Sequence, residues 1–144
     1  MKNQLKEFNI HSEINVQWGD MDAFRHVNNV AYVRWGEMAR IDYLKVLNLF
    51  SFGSKKLNYA PILGFQSVKY IAPLVYPDTI IIGTKTTGIK KDRVILISHF
   101  FSTEQQRLVA IKTHEVILFD FKTQQKIPVP KALIERIYEV DKLK

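Results

Sequence analysis

The 144 residues include no cysteine. Disulfides, thiolate nucleophiles and thiolate zinc ligands are therefore excluded, any metal is left to His, Asp or Glu, and a reducing compartment is compatible with the composition. No run approaches the roughly 18 consecutive apolar residues that a membrane-spanning helix needs. The opening MKNQLKEFNIHSEI also lacks the apolar core of a signal peptide. The expectation is a cytoplasmic protein with no integral membrane segment. No internal repeat and no low-complexity tract divides the chain. With 47% apolar residues, residues 1–144 have the size and composition of one domain with a substantial core.

What the sequence does have is an excess of positive charge, 21 Lys and Arg against 14 Asp and Glu. The excess favours an anionic partner. The basic residues are scattered, with local groups at Lys55-Lys56 and Lys90-Lys91-Arg93 rather than one stripe, so a nucleic-acid partner is not expected.

Ser12 to Trp18 alternates, with Ile14, Val16 and Trp18 on one side and Glu13, Asn15 and Gln17 on the other, and reads as a half-buried strand. From Asn28 or Asn29, the residues Tyr32, Trp35, Gly36, Ala39, Tyr43, Val46, Leu47 and Phe50 recur at helical spacing, with Arg34, Glu37, Arg40 and Lys45 on the opposite arc. Trp18, Tyr32, Trp35 and Tyr43 are read first as core residues and only secondarily as pocket lining, and Glu37 with Arg40 as an ordinary helical ion pair. Ser51 to Pro61 reads as a loop. Strands are then expected over Ile62–Ile71, Thr79–Thr87, Arg93–Thr103 and Arg107–Asp120, with turns between them. Pro128 and Pro130 precede a short helix, Lys131–Val140. One long helix covers only one face of a five-stranded antiparallel sheet and leaves its edges open, which self-association remedies.

Chemistry concentrates where the first loop meets the long helix. WGDMDAFRHVNN carries two carboxylates, a histidine and two asparagines just before the helix. A helix start offers unpaired N–H groups and a positive dipole end, so a carboxylate beside it can act on a carbonyl that those groups polarise. Taken alone, Asp20 and Asp22 are commonly turn-forming or capping carboxylates. His26 with Asp20 and Asp22 makes a poor metal site, because no second histidine cluster completes it. His11, His99 and His114 have no partner pattern and are read as surface or strand positions.

The motif WGDMDAFRHVNNVAYVRWGEMARIDYL, supported by VKYIAPLVYPDTI, resembles the hotdog-fold acyl-CoA thioesterases of the 4-hydroxybenzoyl-CoA thioesterase family. The resemblance covers nearly the whole chain. It implies an α+β hotdog fold, with a five-stranded antiparallel sheet wrapped around one long helix and a short C-terminal helix. It also implies dimers with a continuous sheet, often stacked as tetramers, and active sites at the subunit interface. By position it makes Asp22 the catalytic carboxylate and Asn29 the residue whose backbone N–H polarises the carbonyl, with Val27 and Asn28 as neighbouring alternatives. His26 and Asn28 would shape the loop and contact the thioester. Lys90 and Lys91, in the turn GIKKDR, would meet the phosphates of coenzyme A, with Arg93 as a third candidate; the alternative is a solvated hairpin turn whose lysines bind nothing. Arg25 departs from the pattern, standing where related motifs often have glycine; a cation there would hold Asp22 ionised or narrow the acyl pocket.

The implied reaction is hydrolysis of a fatty or aryl acyl-CoA to free acid and CoA, with Asp22 as nucleophile or general base. It asks for no metal or cofactor, coenzyme A being part of the substrate. Two other readings share the fold. One is a thioesterase for acyl groups on an acidic carrier protein, which the basic surface would suit. The other is a non-catalytic acyl-CoA-binding module.

Overall fold

Alternation in the sequence becomes the two faces of one sheet. In Arg93–Ser102, Val94, Leu96, Ser98 and Phe100 are buried while Ile95, Ile97 and His99 on the other face are half-buried. The computed structural model describes residues 1–49 and 59–142. In chain order the elements are α1 (Lys2–Leu5), β1 (Ile10–Asn15), a 3-10 turn (Trp18–Asp20), α2 (Asn29–Val46), β2 (Ala60–Tyr70), β3 (Thr79–Ile89), β4 (Arg93–Ser102), β5 (Arg107–Asp120), β6 (Gln125–Lys126) and α3 (Lys131–Asp141). The strands lie in the order β1-β3-β4-β5-β2, all antiparallel, with β6 added to β5. This is the curled sheet with a long helix and a short final helix that the hotdog fold requires.

α2 presents the face its spacing dictates. Tyr32, Trp35, Gly36, Ala39, Tyr43 and Leu47 are buried, and Arg34, Glu37 and Lys45 are exposed. Its N-terminal half packs on Leu74, Ile80, Ile82, Phe100 and Val109. Its C-terminal half packs on Leu96, Val116 and Leu118, and on Leu133 and Ile137 of α3. Helix and sheet come close at Gly36, where a Cβ would run into the side chain of Lys112 on β5. On the opposite face of the sheet, α1 and Phe8 pack against Phe101, and Phe8 lies over Gly83, where a Cβ would overlap its ring.

Several expectations are corrected. β1 ends at Asn15, three residues early, because the Asp20 carboxylate accepts from Gln17 N–H and closes the chain into the 3-10 turn. Trp18 leaves the ladder there and is 73% exposed, so it is not a core residue. Ala60 and Pro61 belong to β2 rather than to the preceding loop; Ser51–Asn58 and Phe50 lie outside the described residues. The sheet gains a sixth strand, the two-residue β6, and α1 precedes it; both are too short for periodicity to register.

Candidate active site

The loop before α2 is held by its own backbone. Met21 and Val27 pair across it, Asp22 N–H donates to His26 O at 2.9 Å, and Arg25 N–H donates back to Asp22 O at 2.9 Å. The tight reversal puts Arg25 at φ 63, in the left-handed region. Glycine adopts that region without strain, which is a physical reason for the glycine that the resemblance leads one to expect here. Arg25 forms no ion pair with Asp22 among the described residues.

The two aspartates diverge. Asp20 is structural: beyond its bond to Gln17 it takes Arg34 Nη2 at 2.8 Å, and its carbonyl receives Asn28 N–H at 2.8 Å. Asp22 is exposed, and among the described residues its Oδ1 accepts only Phe24 N–H, at 2.9 Å.

The amides at the helix start are nearly all engaged. Val27 N–H donates to Leu74 O at 2.8 Å, Asn28 N–H to Asp20 O, Val30 N–H to the capping Oδ1 of Asn28 at 3.1 Å, and Ala31 N–H to Asn28 O at 3.0 Å. Asn29 N–H has no acceptor among the described residues. It heads an 18-residue helix, where the dipole favours negative charge. The carbonyl of Asn29 receives the Tyr70 hydroxyl at 3.1 Å, tying the end of β2 to the helix start.

A cleft of about 280 Å³ opens here, lined by His26, Val27, Asn29, Tyr32, Tyr70 and the stretch Ile71–Pro73. Asp22 does not line it, although its backbone pairs with His26, which does. The structure therefore brings His26 and Asn29 to one cleft, with Asp22 on the adjoining turn. Asn28 commits its side-chain oxygen to the helix cap. Lys90 and Lys91 are exposed on the β3–β4 turn, where Lys91 O receives Val129 N–H near α3. That turn lies at the far end of α2, roughly 27 Å along its axis, so a single chain does not bring these lysines to Asp22.

Tyr70, Ile71, Ala72 and Pro73 were not singled out from the sequence. They sit in the stretch VKYIAPL, whose only sequence signal was its place in the second motif.

Beneath the middle of α2 lies a buried polar chain. His114 on β5 is fully buried; its Nδ1 accepts from Arg40 Nη1 at 3.2 Å, which leaves Nε2 to donate to Ser98 Oγ at 3.0 Å. Ser98 in turn bonds Thr84 Oγ1 at 2.9 Å. His114 thus stands on a strand as expected, but with partners the sequence did not reveal. Burial, with Lys112 and Arg40 nearby, pushes its pKa down to about 2. Lys112, also fully buried, donates to Val33 O at 3.3 Å, and burial lowers its pKa to about 8. The Arg40–Glu37 pair exists at 3.8 Å, and Arg40 is more than a surface partner because of its bond to His114.

A sequence model of the thioesterase-like superfamily matches residues 16–137. The chain belongs to the thioesterase-like superfamily. This thioesterase is 24% identical over 133 residues to the long-chain acyl-CoA thioesterase FadM of Escherichia coli (strain K12), covering 92% of this chain and all of FadM. Its fold matches a thioesterase from Thermus thermophilus complexed with coenzyme A and Zn, with TM-score 0.82, 20% identity, and coverage of 96% and 99% of the two chains. It also matches a putative thioesterase from Pseudomonas aeruginosa, with TM-score 0.78, 23% identity, and coverage of 90% and 98%. The family identifies the protein as a thioester hydrolase with the hotdog fold expected from its motif.

Proposed function

We propose that this thioesterase hydrolyses the thioester of a fatty or aryl acyl-CoA to the free acid and CoA, with Asp22 as the catalytic carboxylate and Asn29 N–H as the donor to the carbonyl oxygen. One observation carries the reading. Of the amides around the helix start, Asn29 N–H alone lacks an acceptor among the described residues, Asn29 lines the cleft, and an exposed carboxylate stands on the adjoining turn. A thioester is already an activated acyl compound, so a positioned carboxylate and a preorganised donor suffice. Asp22 either attacks the carbonyl carbon and expels CoA as its thiolate, giving an anhydride that water opens to the free acid, or takes a proton from a water whose attack expels the thiolate. Oxygen-18 from solvent appears in the Asp22 side chain in a single turnover only by the first route. His26, at the mouth of the cleft, is positioned to contact the thioester.

The substrate assignment to acyl-CoA is supported by the similarity to FadM over its full length. The phosphates of CoA suit Lys90 and Lys91, provided these come from a partner. β2 lies at an edge of the sheet, and its outer side pairs with no strand among the described residues. Antiparallel pairing of two β2 strands reverses one protomer against the other. The partner's β3–β4 turn then lies at the same end as Asp22. The working unit in this reading is a homodimer, acting in the cytoplasm; no helix among the described residues is long and apolar enough to cross a membrane. Release of free CoA thiol from a panel of acyl-CoA esters tests the function. Turnover of carrier-linked esters alone, or binding without turnover, would replace it with one of the two other readings.

A further inference from the structure

Tyr32 is sealed into the protein except at its polar end. It is 3% exposed, and its ring is held by Trp35 at 5.4 Å between centroids, by Tyr70 edge-on at 5.0 Å, and by Phe100 near-parallel at 6.2 Å. The Tyr32 hydroxyl bonds to none of the described residues. Nor is it among their enclosed, unpartnered atoms, which are Arg136 Nε and Asp141 Oδ1. Its small remaining exposure therefore includes the hydroxyl, and Tyr32 lines the cleft. Helical side chains lean toward the N-terminus, so a phenol three residues after Asn29 extends back toward the free Asn29 N–H. The neighbouring phenol, Tyr70, has its hydrogen bond already, to Asn29 O.

The cleft thus offers the Tyr32 hydroxyl and Asn29 N–H as uncommitted donors beside the polar side chains of His26 and Asn29, with apolar walls of Val27, Ile71, Ala72 and Pro73. Asn29 N–H serves the thioester carbonyl in the reading above, on which this inference rests. A saturated hydrocarbon chain along the apolar walls would strip water from the Tyr32 hydroxyl and return nothing. A chain bearing an oxygen there would restore the bond. We propose that Tyr32 is a specificity residue whose hydroxyl donates to an oxygen on the acyl group, so that acyl thioesters carrying a hydroxyl or keto oxygen near the thioester are preferred over their unsubstituted counterparts. Burial, with Tyr70 alongside, holds the phenol up to about 12, so it remains a proton donor across the physiological range.

The test compares kcat/KM for wild type and Tyr32→Phe on matched CoA esters: 3-hydroxyacyl and 3-oxoacyl against saturated chains of equal length, and hydroxybenzoyl against benzoyl. Wild type is expected to prefer an oxygenated ester by roughly tenfold or more, the worth of one hydrogen bond to a buried neutral group. In Tyr32→Phe that ratio falls to near one, the oxygenated esters losing rate and the unsubstituted esters gaining it, since they no longer strip water from a hydroxyl. An equal loss on both classes would assign the hydroxyl to the shared thioester and overturn the proposal, as would no change on either. The wild-type ratio stands on its own should the variant fold poorly: indifference to the added oxygen overturns the proposal directly. Failure of wild type to cleave any acyl-CoA would instead sink the catalytic reading beneath it.

Discussion

A left-handed turn residue, a buried histidine and a free amide show how much single positions carry here. At Arg25 the backbone sits at φ 63, a conformation costing an L-residue about 1–2 kcal/mol that glycine avoids. Arg25→Gly also frees the unfolded chain, which offsets part of the gain. Unfolding free energy is therefore expected to stay level or rise by up to about 1 kcal/mol in chemical denaturation, with kcat and its pH profile unchanged because no ion pair to Asp22 is lost. A shifted pH profile would give the cation a part in catalysis. Arg25 was legible as an anomaly, but its conformational cause was not, since the tight reversal depends on the pairing of Met21 with Val27. Asn29 was legible only through its motif. What distinguishes it from Val27 and Asn28 is that Leu74 O and Asp20 O occupy their amides, and Leu74 is distant in sequence.

Between elements, the contact of α2 with β5 is where packing and charge meet. Lys112 passes under Gly36 with a lowered pKa of about 8, and His114 beside it is held neutral down to about 2. Both folded pKa values lie below the ordinary ones, so the unfolded chain binds more protons between the folded and unfolded values of each group. Stability therefore rises with pH from about 2 to about 6.5 through His114, and again from about 8 to about 10.5 through Lys112. Urea midpoints measured across pH should show both rises, and Lys112→Met should flatten the upper one; an unaltered upper slope would assign it elsewhere. The helical face of α2 was plain from the spacing of Tyr32, Trp35, Ala39 and Tyr43. Nothing in one dimension predicts that a lysine and a histidine of β5 lie beneath it, because alternation in β5 marks an inward position without saying which polar partners wait there. Trp18 failed for the opposite reason: its alternation with Val16 was real, but the Asp20 carboxylate turned the chain first.

Over the whole molecule, the order of long strands and one long helix made the fold class readable, and residues 16–137 match the superfamily that shares it. The assembly was readable only as a need, in a sheet with open edges. Among the described residues no strand pairs with the outer edge of β2, which carries an exposed Phe65. If two β2 strands join, Phe65→Glu places like charges near the shared axis and should shift the protein from dimer to monomer in sedimentation, with turnover lost in parallel. A monomeric variant of full activity would confine the site to one chain. The proposed function places catalysis on the Asp22 carboxylate, and its most direct test is the steady-state rate of Asp22→Asn on an acyl-CoA that the wild type cleaves. A fall in kcat of about 10²–10⁴, with the fold intact and KM little changed, is the predicted result; a rate within a few-fold of wild type would contradict it.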